Sequence, residues 1–116
     1  MERPVSPPGV DLIEMKKADS LYRAAAGRLS SLFSREEVRY IRNGRHPQER
    51  LARLLTAKEA VFKATPSQTT GVIPFRSIRV LQAGRIRRRL DDPRTKLVVR
   101  REGAYVIAHC GPCVLS

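Results

Sequence analysis

The sequence predicts an α+β domain: helices packed on a small antiparallel β-sheet. Three observations carry this. Residues 47–63 hold one sustained helical period, with Leu51, Leu54, Leu55 and Phe62 at i, i+3, i+4 and i+11. Beyond Pro74 the apolar period changes to two, with Ile78 and Val80 (and Phe75) alternating with Arg76, Ser77 and Arg79. Finally, Glu102-Gly103 lies between two apolar runs, 97–99 and 104–108, as a hairpin signal. Helices first and strands later segregate into a helical layer and an antiparallel sheet.

The elements follow in order. Residues 1–8 hold three prolines and no apolar stretch, and read as an extended tail. Val10, Leu12 and Ile13 after Pro8-Gly9 predict a strand over 9–14. Asp11 and Glu14 sit inside this apolar run, where an acid needs a partner or a cation. Residues 15–28 read as a helix, with Leu21, Ala24, Ala25 and Leu29 on one face and Lys16, Lys17 and Arg23 on the other. Ser34 and Glu37 have capping-box spacing and start a short helix bearing Val38 and Ile41. Asn43-Gly44 stops it. Pro47 suits the first turn of the long helix. Lys58 lies inside its apolar face beside Phe62; Glu59 and Lys63, four apart, lie at its edge. Residues 65–74 read as a loop marked by Pro66, Gly71 and Pro74, Ala83-Gly84 and Asp91-Asp92-Pro93 as turns, and 85–90 as a weak strand. The domain is expected over 9–109, with 110–116 as a C-terminal tail.

Composition narrows the function classes. A chain of 116 residues makes one domain with a modest core, which oligomerisation commonly supplements. Three Phe, three Tyr and no Trp argue against a large aromatic-lined cavity. No apolar run approaches the roughly 20 residues that span a bilayer, and residues 1–8 lack the apolar centre of a leader. Two cysteines make no disulfide framework, so a cytoplasmic setting is expected. The formal charge of +12 implies a polyanionic partner. Its densest knot, Arg85, Arg87, Arg88 and Arg89, has no interleaved aromatics, which disfavours single-stranded nucleic acid.

Ordered motifs carry a more specific signal. Gly9-Val10-Asp11-Leu12-Ile13-Glu14, then Phe33-Ser34-Arg35-Glu36-Glu37 with Tyr40, then Arg50-Leu51-Ala52 and Ala57-Lys58-Glu59-Ala60 with Lys63, occur in one order and spacing. In these the chain resembles the holo-acyl-carrier-protein synthase type of 4'-phosphopantetheinyl transferase. Ile78-Arg79-Val80 fits the strand that follows the signature helix in that family.

The resemblance implies a reaction and a site. The phosphopantetheine arm of coenzyme A would pass to a serine of an acidic acyl carrier protein, with the enzyme a homotrimer and the cofactor held between subunits. Asp11 and Glu59 would hold Mg²⁺ and, with Lys63, make the catalytic set. Lys58, Lys63, Arg53 and Arg101 would meet coenzyme A phosphates. Lys16, Lys17 and Arg23 would face the carrier protein. An acidic partner would account for the positive charge without nucleic acid or membrane.

The chain also departs from the family. Thr65-Pro66-Ser67-Gln68 stands where the family has Gly-Thr-Gly, and Leu54 stands in an arginine column, with Arg53 one earlier. The family's late His/Ser-rich strand is replaced by residues 97–103, which put Arg101 in the histidine column. The segment between Val80 and Leu97 is shorter. Either arginines replace the lost phosphate donors, or the chain binds a carrier protein or another polyanion without transfer. Cys110-Gly111-Pro112-Cys113 has dithiol spacing, but too few residues follow for the helix that would activate a thiolate. With His109 the cysteines make three possible zinc ligands, and a fourth would have to come from His46 or another subunit, so a tail is expected; His46 reads as a loop or cap residue.

Overall fold

The computed structural model describes residues 8–25, 27–64, 78, 80–82, 85–86 and 96–111, with Gln82 and Arg85 by backbone alone. The order is β1 (Gly9–Glu14), α1 (Met15–Ala25), α2 (Leu29–Leu32), α3 (Arg35–Arg42), α4 (Pro47–Ala64), β2 (Leu81–Gln82), β3 (Arg85–Ile86), β4 (Leu97–Glu102) and β5 (Tyr105–Cys110). The expected loop at 65–74, the turns at 83–84 and 91–93, the strand at 87–90, the arginines Arg87 to Arg89 and both chain ends lie outside the described residues.

β1, β5 and β4 form an antiparallel sheet in that order. Its register aligns Asp11 with Ala108 and Ala108 with Val99. Alternation gives the sheet two unlike faces. Gly9, Ile13, Val106, Ala108 and Cys110 are buried under the long helix α4. Val10, Leu12, Val98 and Tyr105 point the other way and are exposed. Gly103 turns the β4–β5 hairpin at φ +59°, the left-handed region glycine enters freely. A separate two-stranded ladder pairs Leu81 with Ile86 and Gln82 with Arg85.

Helix α4 is the axis of the fold. Pro47 opens it, and the His46 carbonyl accepts the Glu49 and Arg50 amides, each at 3.1 Å. It packs on all three strands of the sheet and on α1 and α3. Ala52, Ala57, Ala60 and Ala64 are all at most 1 % exposed, so small residues, more than leucines, let neighbours approach. The closest approach is at Gly9. A Cβ there would lie 1.9 Å from the Ala60 carbonyl oxygen and 2.8 Å from the Ala64 nitrogen. Helix α3 begins with the expected capping box: the Ser34 amide donates to Glu37 Oε1 at 2.8 Å, and the Glu37 amide donates to Ser34 Oγ at 3.2 Å.

Several expectations change. The first helix ends at Ala25, and Leu29 begins a separate turn that buries itself and Phe33. Gly27 accounts for the break, because glycine weakens a helix interior. Ile78 and Val80 are buried, but the strand starts one residue later, at Leu81. β5 runs through Cys110, inside the stretch expected to be a tail, and the Gly111 amide donates to the Lys96 carbonyl at 2.7 Å. Phe62 is 44 % exposed rather than in the core. Neighbours surround α4 on so many sides that its leucine stripe did not define the buried face alone.

Lys58 also moves from its expected place. It is fully buried and donates to both carboxylate oxygens of Glu37, at 2.9 and 3.0 Å, with its ammonium 5.3 Å from the Phe33 ring centroid. A buried ammonium needs such a partner. The expected phosphate contact therefore has no exposed charge behind it: Lys58 joins α4 to the cap of α3.

Two stability measurements check these contacts. Gly9→Ala forces β1 off α4 and should cost at least about 1–3 kcal/mol in denaturant unfolding; an unchanged midpoint would show that the contact yields freely. Lys58→Met should cost about 3–5 kcal/mol by leaving a buried carboxylate. Adding Glu37→Gln, which keeps the cap, should restore much of that loss, and equal stabilities of Lys58→Met and wild type would contradict the pairing.

Candidate active site

The seam between β1 and the C-terminal half of α4 brings three of the expected residues onto adjoining elements. Strand alternation turns Asp11 toward α4, on the same side as Gly9. Lys63 crosses to it and donates to Asp11 Oδ1 and to the Val10 carbonyl, each at 3.1 Å. Glu59 is partly buried one helical turn earlier, at a spacing where Cβ atoms lie about 5–6 Å apart. The alternative surface pair, Glu59 with Lys63, does not form among the described residues. The Lys63 side chain is 50 % exposed and that of Asp11 22 %. An ion pair so open contributes little to stability, about 0–1 kcal/mol. Lys63, unlike buried Lys58, is therefore not committed to the fold by its partner.

The donors at this seam suit a particular cation. Among the described residues no three His, Cys, Asp or Glu side chains cluster as metal ligands. Zinc and calcium want fuller protein ligand sets. Mg²⁺ commonly takes one or two carboxylates and completes its shell with water and substrate phosphates. Asp11 and Glu59 fit that demand.

A second constellation lies toward the other end of α4. Glu49 Oε2 accepts from Arg53 Nε at 3.1 Å, and Glu49 Oε1 accepts from an Arg101 guanidinium nitrogen. Arg53 also reaches the Val99 carbonyl at 3.4 Å. The Arg101 hydrogen bond, helped by Arg53 and opposed by partial burial, holds the Glu49 carboxyl below its ordinary range. Arg100 points to the opposite face and pairs with Glu102 in solvent. The two arginines named from sequence, Arg53 and Arg101, thus share one carboxylate. Sequence reasoning missed that carboxylate, although Glu49 and Arg53 are an i, i+4 pair.

Arg53 also borders a cleft of about 510 Å³ with Tyr40, Arg50, Ile86, Leu97, Val98 and Val99. Arg50 stacks on Tyr40, 4.5 Å from the ring centroid, and donates to the Tyr40 carbonyl at 2.7 Å. Burial is the main cause that raises the Tyr40 hydroxyl pKa, against the lowering pull of Arg50 and Arg53. Lys16, Lys17 and Arg23 are exposed on α1, away from buried Ala18. His109 is exposed on β5, Cys110 is buried, and Cys113 lies outside the described residues.

Known proteins share this architecture. An apo ACPS structure from Chronobacterium ammoniagenes superposes with a TM-score of 0.73 at 22% identity, over 99% of this chain and 100% of that one. An ACPS–CoA complex from the same organism gives 0.71 at 23%, over 97% and 99%. The holo-[acyl-carrier-protein] synthase of Neisseria meningitidis gives 0.67 at 20%, over 89% and 94%. Likeness at such identities establishes the fold. No curated protein sequence matches the chain. The family model described as the 4'-phosphopantetheinyl transferase superfamily matches residues 7–110. The match spans nearly all of the 116 residues, and the chain belongs to that superfamily.

Proposed function

We propose that the chain is an Mg²⁺-dependent transferase that moves the 4'-phosphopantetheine arm of coenzyme A to a serine of an acidic acyl carrier protein. The observation that carries this reading is the Asp11–Lys63 contact one turn from Glu59, in a member of this superfamily. The serine hydroxyl oxygen attacks the phosphorus that bears the arm, and its proton passes to solvent. A new P–O bond forms, the diphosphate bridge breaks, and adenosine 3',5'-bisphosphate leaves with the electron pair. Asp11 and Glu59 are the residues that would hold Mg²⁺, which when bound offsets negative charge on the diphosphate. Lys63 turns from Asp11 to a phosphate oxygen. Arg53 and Arg101 receive the 3'-phosphate of coenzyme A, a dianion that suits guanidinium forks.

Other features fit the same reading. Lys16, Lys17 and Arg23 give the carrier protein a basic face, and such steering weakens with salt. A transfer rate insensitive to ionic strength would remove that face. Val10, Leu12, Val98 and Tyr105, each about half exposed, set apolar side chains among Arg100, Glu102 and His109 on the outer side of the sheet, a mixed surface that a subunit contact in a homotrimer would use. A monomer by sedimentation at assay concentration would remove the trimer. No helix among the described residues is long and apolar enough to cross a membrane. The reaction would take place in the cytoplasm with coenzyme A.

Two observations favour a second reading, binding without turnover: Lys58 is committed to Glu37, and Glu49 occupies both arginines. Purified protein, coenzyme A, Mg²⁺ and a panel of apo carrier proteins separate the two by mass. Wild type should add the arm to at least one carrier. Asp11→Asn and Glu59→Gln should each lose on the order of 10²-fold or more in rate, the scale of a lost electrostatic contact to the transition state. No labelling of any carrier would leave the binding reading. Full activity in both variants would remove the metal assignment.

A further inference from the structure

We propose that Glu49 is an internal counter-anion for Arg53 and Arg101, one that holds the two guanidiniums together until a phosphate monoester displaces it. Arg53 lies on α4 and Arg101 on β4, and their guanidinium groups would repel each other without a shared anion. Glu49 supplies one oxygen to each. Arg101 is anchored a second time by its own hairpin, where Nε donates to the Gly103 carbonyl at 2.9 Å. Arg53 has a second hold on the Val99 carbonyl. Both arginines therefore stay near the site when the carboxylate moves away.

The cluster is also reachable. The side chains of Glu49, Arg53 and Arg101 are 24 %, 30 % and 44 % exposed, and Arg53 opens onto the 510 Å³ cleft. Pairs this exposed hold weakly, so a competitor need not overcome a large barrier. A phosphate monoester brings close to two charges and three acceptor oxygens against the single charge and two oxygens of a carboxylate. It can take both forks at once. Glu49 is thus a positioning residue that acts through the arginines.

That the monoester is the 3'-phosphate of coenzyme A rests on the proposed function; the displacement itself does not. The test measures binding by calorimetry at low salt for wild type, Glu49→Gln and Glu49→Asp. The ligands are coenzyme A, dephospho-coenzyme A, adenosine 3'-monophosphate and adenosine. Glu49→Gln keeps an acceptor of the same length and removes the charge. It should bind coenzyme A and adenosine 3'-monophosphate about threefold tighter or more, the scale of a lost exposed pair. Dephospho-coenzyme A and adenosine should be unchanged. Glu49→Asp keeps the charge and should not show the gain.

Each outcome decides. A folded Glu49→Gln that binds the 3'-phosphate ligands no tighter than wild type overturns the proposal, and weaker binding would make Glu49 a scaffold alone. Failure of every protein to bind either 3'-phosphate ligand would remove the anion site itself. A gain for adenosine 3'-monophosphate in a protein that neither binds nor transfers from coenzyme A would sustain the role of Glu49 and refute the transferase reading.

Discussion

The structure depends on one contact that no side chain makes. At Gly9 the β1 backbone lies against the backbone of α4, so close that a single methyl group would collide with the Ala60 carbonyl. Ala60 and Ala64 are small enough to permit the approach. Asp11 is two residues further along β1 on the same face, and Lys63 adjoins Ala64 on the helix. Their hydrogen bond follows from the seating of strand on helix. The same strand sets the sheet register, and through β5 and β4 it brings Arg101 to the N-terminal part of α4.

Two charged groups therefore share one helix. Arg53 and Glu59 are six residues apart, roughly 9 Å along the axis at 1.5 Å per residue. Glu49 and Lys63 are fourteen apart, roughly 21 Å. A ligand carrying two separated phosphate groups would be met by a carboxylate and lysine pair near one end and an arginine pair near the other. The charges between these groups are divided by burial. Lys58 is sealed against Glu37 and serves the fold. Lys63, Arg53 and Arg101 keep access to solvent through partly exposed ion pairs.

Local signals explain what was legible from sequence. The strand from Gly9 to Glu14, the Ser34–Glu37 box, the start of α4 at Pro47 and the Gly103 turn each depend on residues within one turn of each other. In the structure Arg100 and Arg101 lie on opposite faces of β4, with Arg101, the residue in the family's histidine column, toward α4. The failures depended on distant partners. Sequence places Lys58 inside an apolar face and assigns it to a phosphate, because the Glu37 that pairs with it is 21 residues away. Glu49 holds Arg101 from 52 residues away, so its i, i+4 spacing to Arg53 gave only half of its role. The leucine stripe of α4 suggested that Phe62 was buried, whereas the alanines make the tight contacts because strands and helices press on several sides.

The central claim is that β1 and α4 together form a cation and phosphate site from Asp11, Glu59 and Lys63. Anomalous diffraction from crystals grown with Mn²⁺ and coenzyme A tests it most directly. Mn²⁺ replaces Mg²⁺ at oxygen ligands and marks its own position. The account predicts an anomalous peak bound by the Asp11 and Glu59 carboxylates, with Lys63 turned from Asp11 to a phosphate oxygen. A peak elsewhere on the chain, or coenzyme A bound with Lys63 still on Asp11 and no metal between the carboxylates, would contradict it.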